Sequence, residues 1–132
     1  MARAHWPLLY DLPVIQVVFT LAQGRKKTTR TLLADTEAGT SQSAFELLLD
    51  EHDCLVCGGK SAQTVCLGGA YSGSFPRYRI RVEIQQLQFD ARLFVVGLPA
   101  PPSGLDGIAC FRFLNRFTYG NFGNAAEFAL EL

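Results

Sequence analysis

Between Arg77 and Ile84 the chain alternates without a break: Tyr78, Ile80, Val82 and Ile84 are bulky and apolar, while Arg77, Arg79, Arg81 and Glu83 are charged. A period of two puts these sets on opposite faces of an extended strand, one buried and one wet. The charged face also discourages pairing with stray sheet edges. Much of the remaining chain reads as strand. Val14 to Ala22 is rich in Val, Ile, Phe and Thr, as strands are. The polar turn Gln23-Gly24-Arg25-Lys26-Lys27 follows, with Gly24 free to take positive φ, and Thr28 to Ala34 returns as the second strand of a hairpin. Arg25-Lys26-Lys27 therefore reads as a solvated turn. Thr64 to Leu67 is a further strand, and the compact run Leu93 to Leu98 is expected to be a central strand buried on both faces. Thr118 to Phe122 and Glu127 to Leu132 are expected to close the fold around Gly123-Asn124.

Three segments depart from this pattern. Ser43 to Asp50 reads either as a short strand or as one or two helical turns, because a short apolar run has no decisive period. Pro99 to Gly104 is a stiff, proline-rich loop. Ile108 to Phe117 reads as a strand end followed by a short helix around Phe113-Leu114-Asn115-Arg116. The expected class is all-β with one short helix.

At 132 residues, 48% of them hydrophobic and 18% charged, the chain suits one globular domain with a real core. We divide it into an N-terminal arm, residues 1–13, and one domain, residues 14–132. Lys+Arg and Asp+Glu balance at 12 each, which argues against electrostatic capture of nucleic acid. Pro7, Asp11 and Pro13 interrupt the apolar N-terminus, and no stretch approaches the ~20 apolar residues of a membrane-spanning helix. The expectation is a soluble, cytoplasmic protein without a membrane partner. Neither a nucleotide-binding glycine loop nor a serine nucleophile elbow is present in the sequence.

The cysteines are Cys54, Cys57, Cys66 and Cys110. His52, Cys54, Cys57 and Cys66 have the donor types of a zinc site, but one Cys-x-x-Cys without a second pair at similar spacing is a weak signal. Free, partly buried thiols are the expectation, with zinc or a disulfide as alternatives, and no metal or cofactor is assigned. His5 and His52 are expected at the surface.

The stretch Leu32-Leu33-Ala34-Asp35-Thr36-Glu37-Ala38-Gly39-Thr40 carries the chemistry. An apolar run leads into one Asp, then Thr, then small residues, as when a buried strand delivers a carboxylate to a loop. It closely resembles the Asp-Thr-Gly-Ala-Ser/Thr motif of aspartic proteases. Leu105 to Phe117, with Asp106-Gly107-Ile108 and Phe113-Leu114, is similar to the Asp-Gly-Ile-x-Gly-x-x-Phe-Leu-x-x-Phe segment of the same family. The order of elements from Val14 to Leu132 resembles the retropepsin-like single-domain aspartic proteases, and is closest to their prokaryotic branch.

The resemblance implies a closed β-barrel, an acid-protease half, with a flap hairpin from Val65 to Tyr78, its tip Gly69, Ala70, Tyr71, Ser72 and Gly73 over a peptide or protein substrate. It implies a homodimer in which Asp35 faces its symmetry mate, because this chain has only one matching Asp-Thr motif. Two carboxylates a few Å apart share one proton, for which the aspartic-protease dyad is itself the standard example. The charged member activates water and the protonated one polarises the scissile carbonyl. Thr36, Glu37 and Ala38 would support the catalytic loop, with Thr36 bonding across the dimer. Ile108, Ala109 and Cys110 would form the hydrophobic loop, and Trp6 would pack on the barrel or at a dimer contact. Leu33, Ile80 and Ile108 are expected to give the cleft an apolar character. Asp106 is expected to bond backbone amides in the loop before Ile108 rather than act as a second catalytic carboxylate.

Two positions depart from the family pattern. Glu37 stands where the motif has Gly, and Cys110 stands where the hydrophobic loop has Gly. Cys110 requires only a negative φ. Glu37 adds bulk and charge beside Asp35, where Gly would give the backbone freedom. A dimeric peptide-binding or scaffold module that lost catalysis through Glu37 is the alternative reading. A zinc-stabilised small domain built on the Cys54 region is a third.

Overall fold

The computed structural model describes residues 2–24, 26–61, 63–102 and 104–132, with the backbone alone at Ala70. Arg25 in the first hairpin turn, Ser103 in the proline-rich loop and the side chain of Ala70 lie outside the described residues. The elements in chain order are β1 (Arg3–Pro7), β2 (Val14–Thr20), β3 (Lys27–Ala34), β4 (Leu47–Asp50), α1 (Glu51–Gly58), β5 (Gln63–Leu67), β6 (Gly73–Ile84), β7 (Phe89–Leu98), β8 (Gly107–Ala109), α2 (Phe111–Leu114), β9 (Thr118–Gly120) and β10 (Glu127–Glu131).

Seven strands form one sheet in the order β2-β3-β8-β4-β7-β6-β5. Pairing of Val18 with Glu83 and of Phe19 with Val82 joins β2 to β6, which closes six of these strands into a barrel and leaves β5 outside it on β6. The alternation in β6 drives closure. Tyr78, Ile80, Val82 and Ile84 are at most 2% exposed and point into the core with Val17, Phe19, Leu47 and Val95. Arg79 and Arg81 remain outside. β7 lies between β6 and β4, so Val95, Val96 and Leu98 are buried, and the strand is central as its composition predicts.

Two pairings in the barrel are parallel, β3 with β8 and β4 with β7. β8 is threaded between β3 and β4, parallel to the first and antiparallel to the second. Only glycine fits its first position. A Cβ built on Gly107 would lie 2.1 Å from the carbonyl oxygen of Leu48.

The N-terminal arm contains β1, which runs antiparallel to β10, and β10 in turn pairs with β9 in a separate three-stranded sheet. Arg3 donates to the Glu131 carboxylate at 2.7 and 3.0 Å across that sheet. Trp6 packs in the main core, 5% exposed.

The expectation of one short helix is corrected, since two α-helices occur among the described residues. α1 begins at Asp50, whose carboxylate accepts from the His52 amide at 2.9 Å, and Glu51 and Asp53 complement its N-terminal dipole. It anchors to the barrel through Cys54 and Cys57, and Arg30 on β3 grips Asp53 with two bonds of 2.9 and 3.0 Å. The run left open at Ser43 to Asp50 contributes β4, and α2 starts two residues before the expected Phe113. No helix among the described residues is long and apolar enough to cross a membrane.

The tight passage at Gly107 sets a prediction. Gly107→Ala should lower unfolding stability by about 3 kcal/mol or more, because the obstructing atom is backbone and has nowhere to go. Gly24→Ala, at φ +86° with open space around the added Cβ, should cost only about 1–2 kcal/mol. Urea denaturation of both variants checks the ranking.

Candidate active site

Asp35 follows the last residue of β3, and the barrel fixes its backbone directly. Its amide donates to the carbonyl of Ala109 on β8 at 3.0 Å. The loop then turns back on itself: the Glu37 amide donates to Asp35 Oδ1 at 3.0 Å and the Ala38 amide to the Asp35 carbonyl at 3.2 Å. Its far side is fastened by the Phe111 amide, which donates to the Ala38 carbonyl at 2.9 Å. The carboxylate-bearing loop is therefore tied at both ends to the segment running from β8 into α2. Asp35 is half-buried, and its Oδ2 has no partner among the described residues.

The position in this loop that needs glycine is Gly39, at φ +76°, where a Cβ would come within 2.6 Å of Ser43 Oγ. Glu37 is not among the described non-glycine residues with positive φ, and its side chain is exposed. The expected backbone conflict at Glu37 is absent because the turn places its left-handed residue two positions later. Cys110 has φ −85°, so its side chain is accommodated without strain.

A cleft of about 430 Å³ opens beside Asp35. It is lined by the Asp35 loop with Glu37, Ala38 and Gly39, and by the end of β5 and the glycine-rich tip, with Cys66, Leu67, Gly68, Gly69 and Tyr71. Ser43, Phe45, Leu48 and Ile108 complete the lining. Beneath them Phe45, Leu48, Val96, Leu98, Ile108 and Cys110 form a second apolar cluster, separate from the barrel core. The tip itself is a 3-10 turn, Gly69–Tyr71, between antiparallel β5 and β6.

The structure thus brings Asp35, Glu37, Ala38, Gly69, Tyr71 and Ile108 to one cleft. Thr36 is exposed outside the lining, and its hydroxyl makes no hydrogen bond among the described residues. Ser72 and Gly73 are exposed beyond the cleft, while Ala109 and Cys110 are buried behind it. Ile80 is corrected: its place in the alternation of β6 sends it into the barrel core, fully buried, rather than to the cleft. Leu33 packs against the second cluster. Phe45 and Leu48 were hidden in the run whose period is ambiguous. Cys66 and Leu67 directly precede the tip, and that adjacency was the available signal.

Asp106 has a structural task, with a different partner from the one expected. Its carboxylate accepts from the Thr31 amide at 2.9 Å, and its own amide donates to the Thr31 carbonyl at 2.9 Å, pinning the approach to β8 against β3. Glu46 is 4% exposed and is neutralised by Arg116, which donates to it through two nitrogens, one at 2.8 Å. The Glu46 carbonyl accepts from the Cys110 amide at 3.0 Å, so this residue also holds the loop behind the cleft.

The four thiols are free, and only Cys54 and Cys57 share a cluster. Cys54 and Cys57 face the core from α1, Cys110 is buried behind the cleft, and Cys66 is exposed on β5. Among the described residues no group of three or more His, Cys, Asp or Glu is placed to hold a metal ion. Burial pushes the Cys54 and Cys57 thiols upward in pKa, and burial with the nearby Asp35 charge pushes Cys110 up to about 12. Comparisons with models of known protein families, with curated proteins and with solved structures found no match to this chain.

Thiol chemistry checks this placement. With an aromatic disulfide reagent at neutral pH, the native protein should release one equivalent, from Cys66, and four after denaturation. Peptide mapping that finds Cys110 labelled in the native state would contradict the described burial.

Proposed function

We propose that the protein is a retropepsin-like aspartic endopeptidase that works as a homodimer. The observation that carries this reading is the cleft itself: Asp35 and the glycine-rich tip, far apart in sequence, line the same cleft. On this reading the β5–β6 hairpin is the flap. An extended peptide lies between it and the Asp35 loop, with apolar side chains against Phe45, Leu48 and Ile108.

Within one chain Asp106 lies outside the cleft lining, bonded to the Thr31 amide on β3, so it is unsuited to serve as the second acid. The dyad is completed by Asp35 of a second copy across a twofold axis. One proton is shared between the two carboxylates. The charged one removes a proton from water as its oxygen attacks the scissile carbonyl carbon, and the protonated one donates to the carbonyl oxygen. Breakdown of the tetrahedral intermediate returns a proton to the leaving nitrogen and restores the shared state. The free Oδ2 suits this role, as does the backbone tie that holds Oδ1. The exposed hydroxyl of Thr36 gains its partner in the dimer, where it bonds across the axis and stiffens both loops. No cofactor is required.

A second reading keeps the dimer and the peptide groove but not catalysis, since Glu37 adds charge where the motif has Gly. One experiment separates them. Cleavage of a denatured protein should be detectable between acid and neutral pH and blocked by a transition-state-mimicking aspartic protease inhibitor. It should fall by about 10²–10⁴-fold in Asp35→Asn. Glu37→Gly should raise cleavage of uncharged peptides severalfold. Cleavage that survives Asp35→Asn rules out the dyad, and no gain at any pH from Glu37→Gly rules out the inhibitory role given to Glu37.

A further inference from the structure

We propose that Glu37 makes the cleft selective for peptides that place a lysine or arginine side chain beside their apolar residues. The inference rests on the peptide-binding reading of the cleft and names the substrate class of that site. Among the described residues, Asp35 and Glu37 are the only charged ones in its lining, which contains no Lys, Arg or His. The nearby arginines lie outside the lining: Arg112 and Arg77 are held by backbone carbonyls, with no ion pair among the described residues, and only Arg116 is paired with a carboxylate. Arg112 donates to the Ser43 carbonyl at 2.6 Å, and Arg77 donates to the Ala44 carbonyl at 2.9 Å while stacking on Phe94. Arg116 is held by Glu46.

Glu37 makes no ion pair among the described residues, although its backbone is fixed by the hydrogen bond to Asp35. A charge on a fixed backbone at the rim of an apolar pocket is a selectivity element. An aliphatic ammonium or guanidinium stem lies along the apolar wall while its head meets the carboxylate. A symmetric dimer doubles this charge, so one cleft carries a Glu37 on each side of the dyad. An acidic side chain in the same position meets like charge and is rejected.

The test is peptide binding measured by fluorescence anisotropy on the full chain. It uses three labelled apolar peptides that differ at one central position: lysine, norleucine or glutamate. The lysine peptide should bind about 5-fold tighter than the norleucine peptide and the glutamate peptide more weakly than either, as a partly exposed charge pair allows. The preference should shrink between 50 mM and 500 mM salt, since a rim charge is screened (about 10 Å Debye length at 0.1 M). It should vanish in Glu37→Gln, whose exposed side chain leaves the fold intact.

Equal binding of the lysine and norleucine peptides, or a preference that persists in Glu37→Gln, overturns the proposal. Cleavage of the same peptides is followed in parallel. Selective binding without cleavage retains the role of Glu37 and removes the protease reading. Cleavage without selectivity does the reverse, and no binding of any peptide removes both.

Discussion

Everything near Asp35 depends on how closely β8 passes β4. The strand is three residues long, yet it is paired on both sides, and it fits because Gly107 has no side chain to meet the Leu48 carbonyl. From that passage follow the hydrogen bond from Asp35 to Ala109 and, one turn later, the bond from Phe111 to Ala38. Two loops from distant parts of the sequence become a single backbone unit. The carboxylate sits on the barrel's own hydrogen-bond ladder rather than on a free loop, which gives it a fixed position without help from side chains.

Polar groups around this unit differ in how far they are engaged. Asp106 and Glu46 are acids with partners, and each secures one side of the threaded strand. Asp35 Oδ2, Thr36 and Glu37 have side-chain atoms without partners among the described residues, and they lie on the face where the loop meets solvent. In the proposed dimer the unsatisfied set meets its own copy.

Much of the barrel was legible in the sequence because it depends on local pattern. Alternation placed β6, turn chemistry at Gly24 placed the β2–β3 hairpin, and the continuous apolar run placed β7. α1 was not legible. Its buried positions, Cys54 and Cys57, are residue types that equally suit a metal or redox site, while its larger apolar residues, Leu55 and Val56, are exposed and invert the usual stripe. The parallel pairings of β8 and β4 are contacts between distant segments, and no local period encodes them. The turn at Tyr10-Asp11 carries only a weak sequence signal: both residues take positive φ and Leu9 pairs with Leu12, but Asp11 alone is of a type that favours such a turn and Tyr10 is not. In the candidate site the motif residues were readable, whereas Phe45 and Leu48 required the fold to bring them there.

The central claim is that this chain supplies half of an active centre. Sedimentation equilibrium, run alongside peptide cleavage over the same range of protein concentration, tests it most directly. The account predicts a reversible monomer–dimer equilibrium with specific activity rising in step with the dimer fraction. A chain that remains a monomer at concentrations where it cleaves peptides would contradict the account.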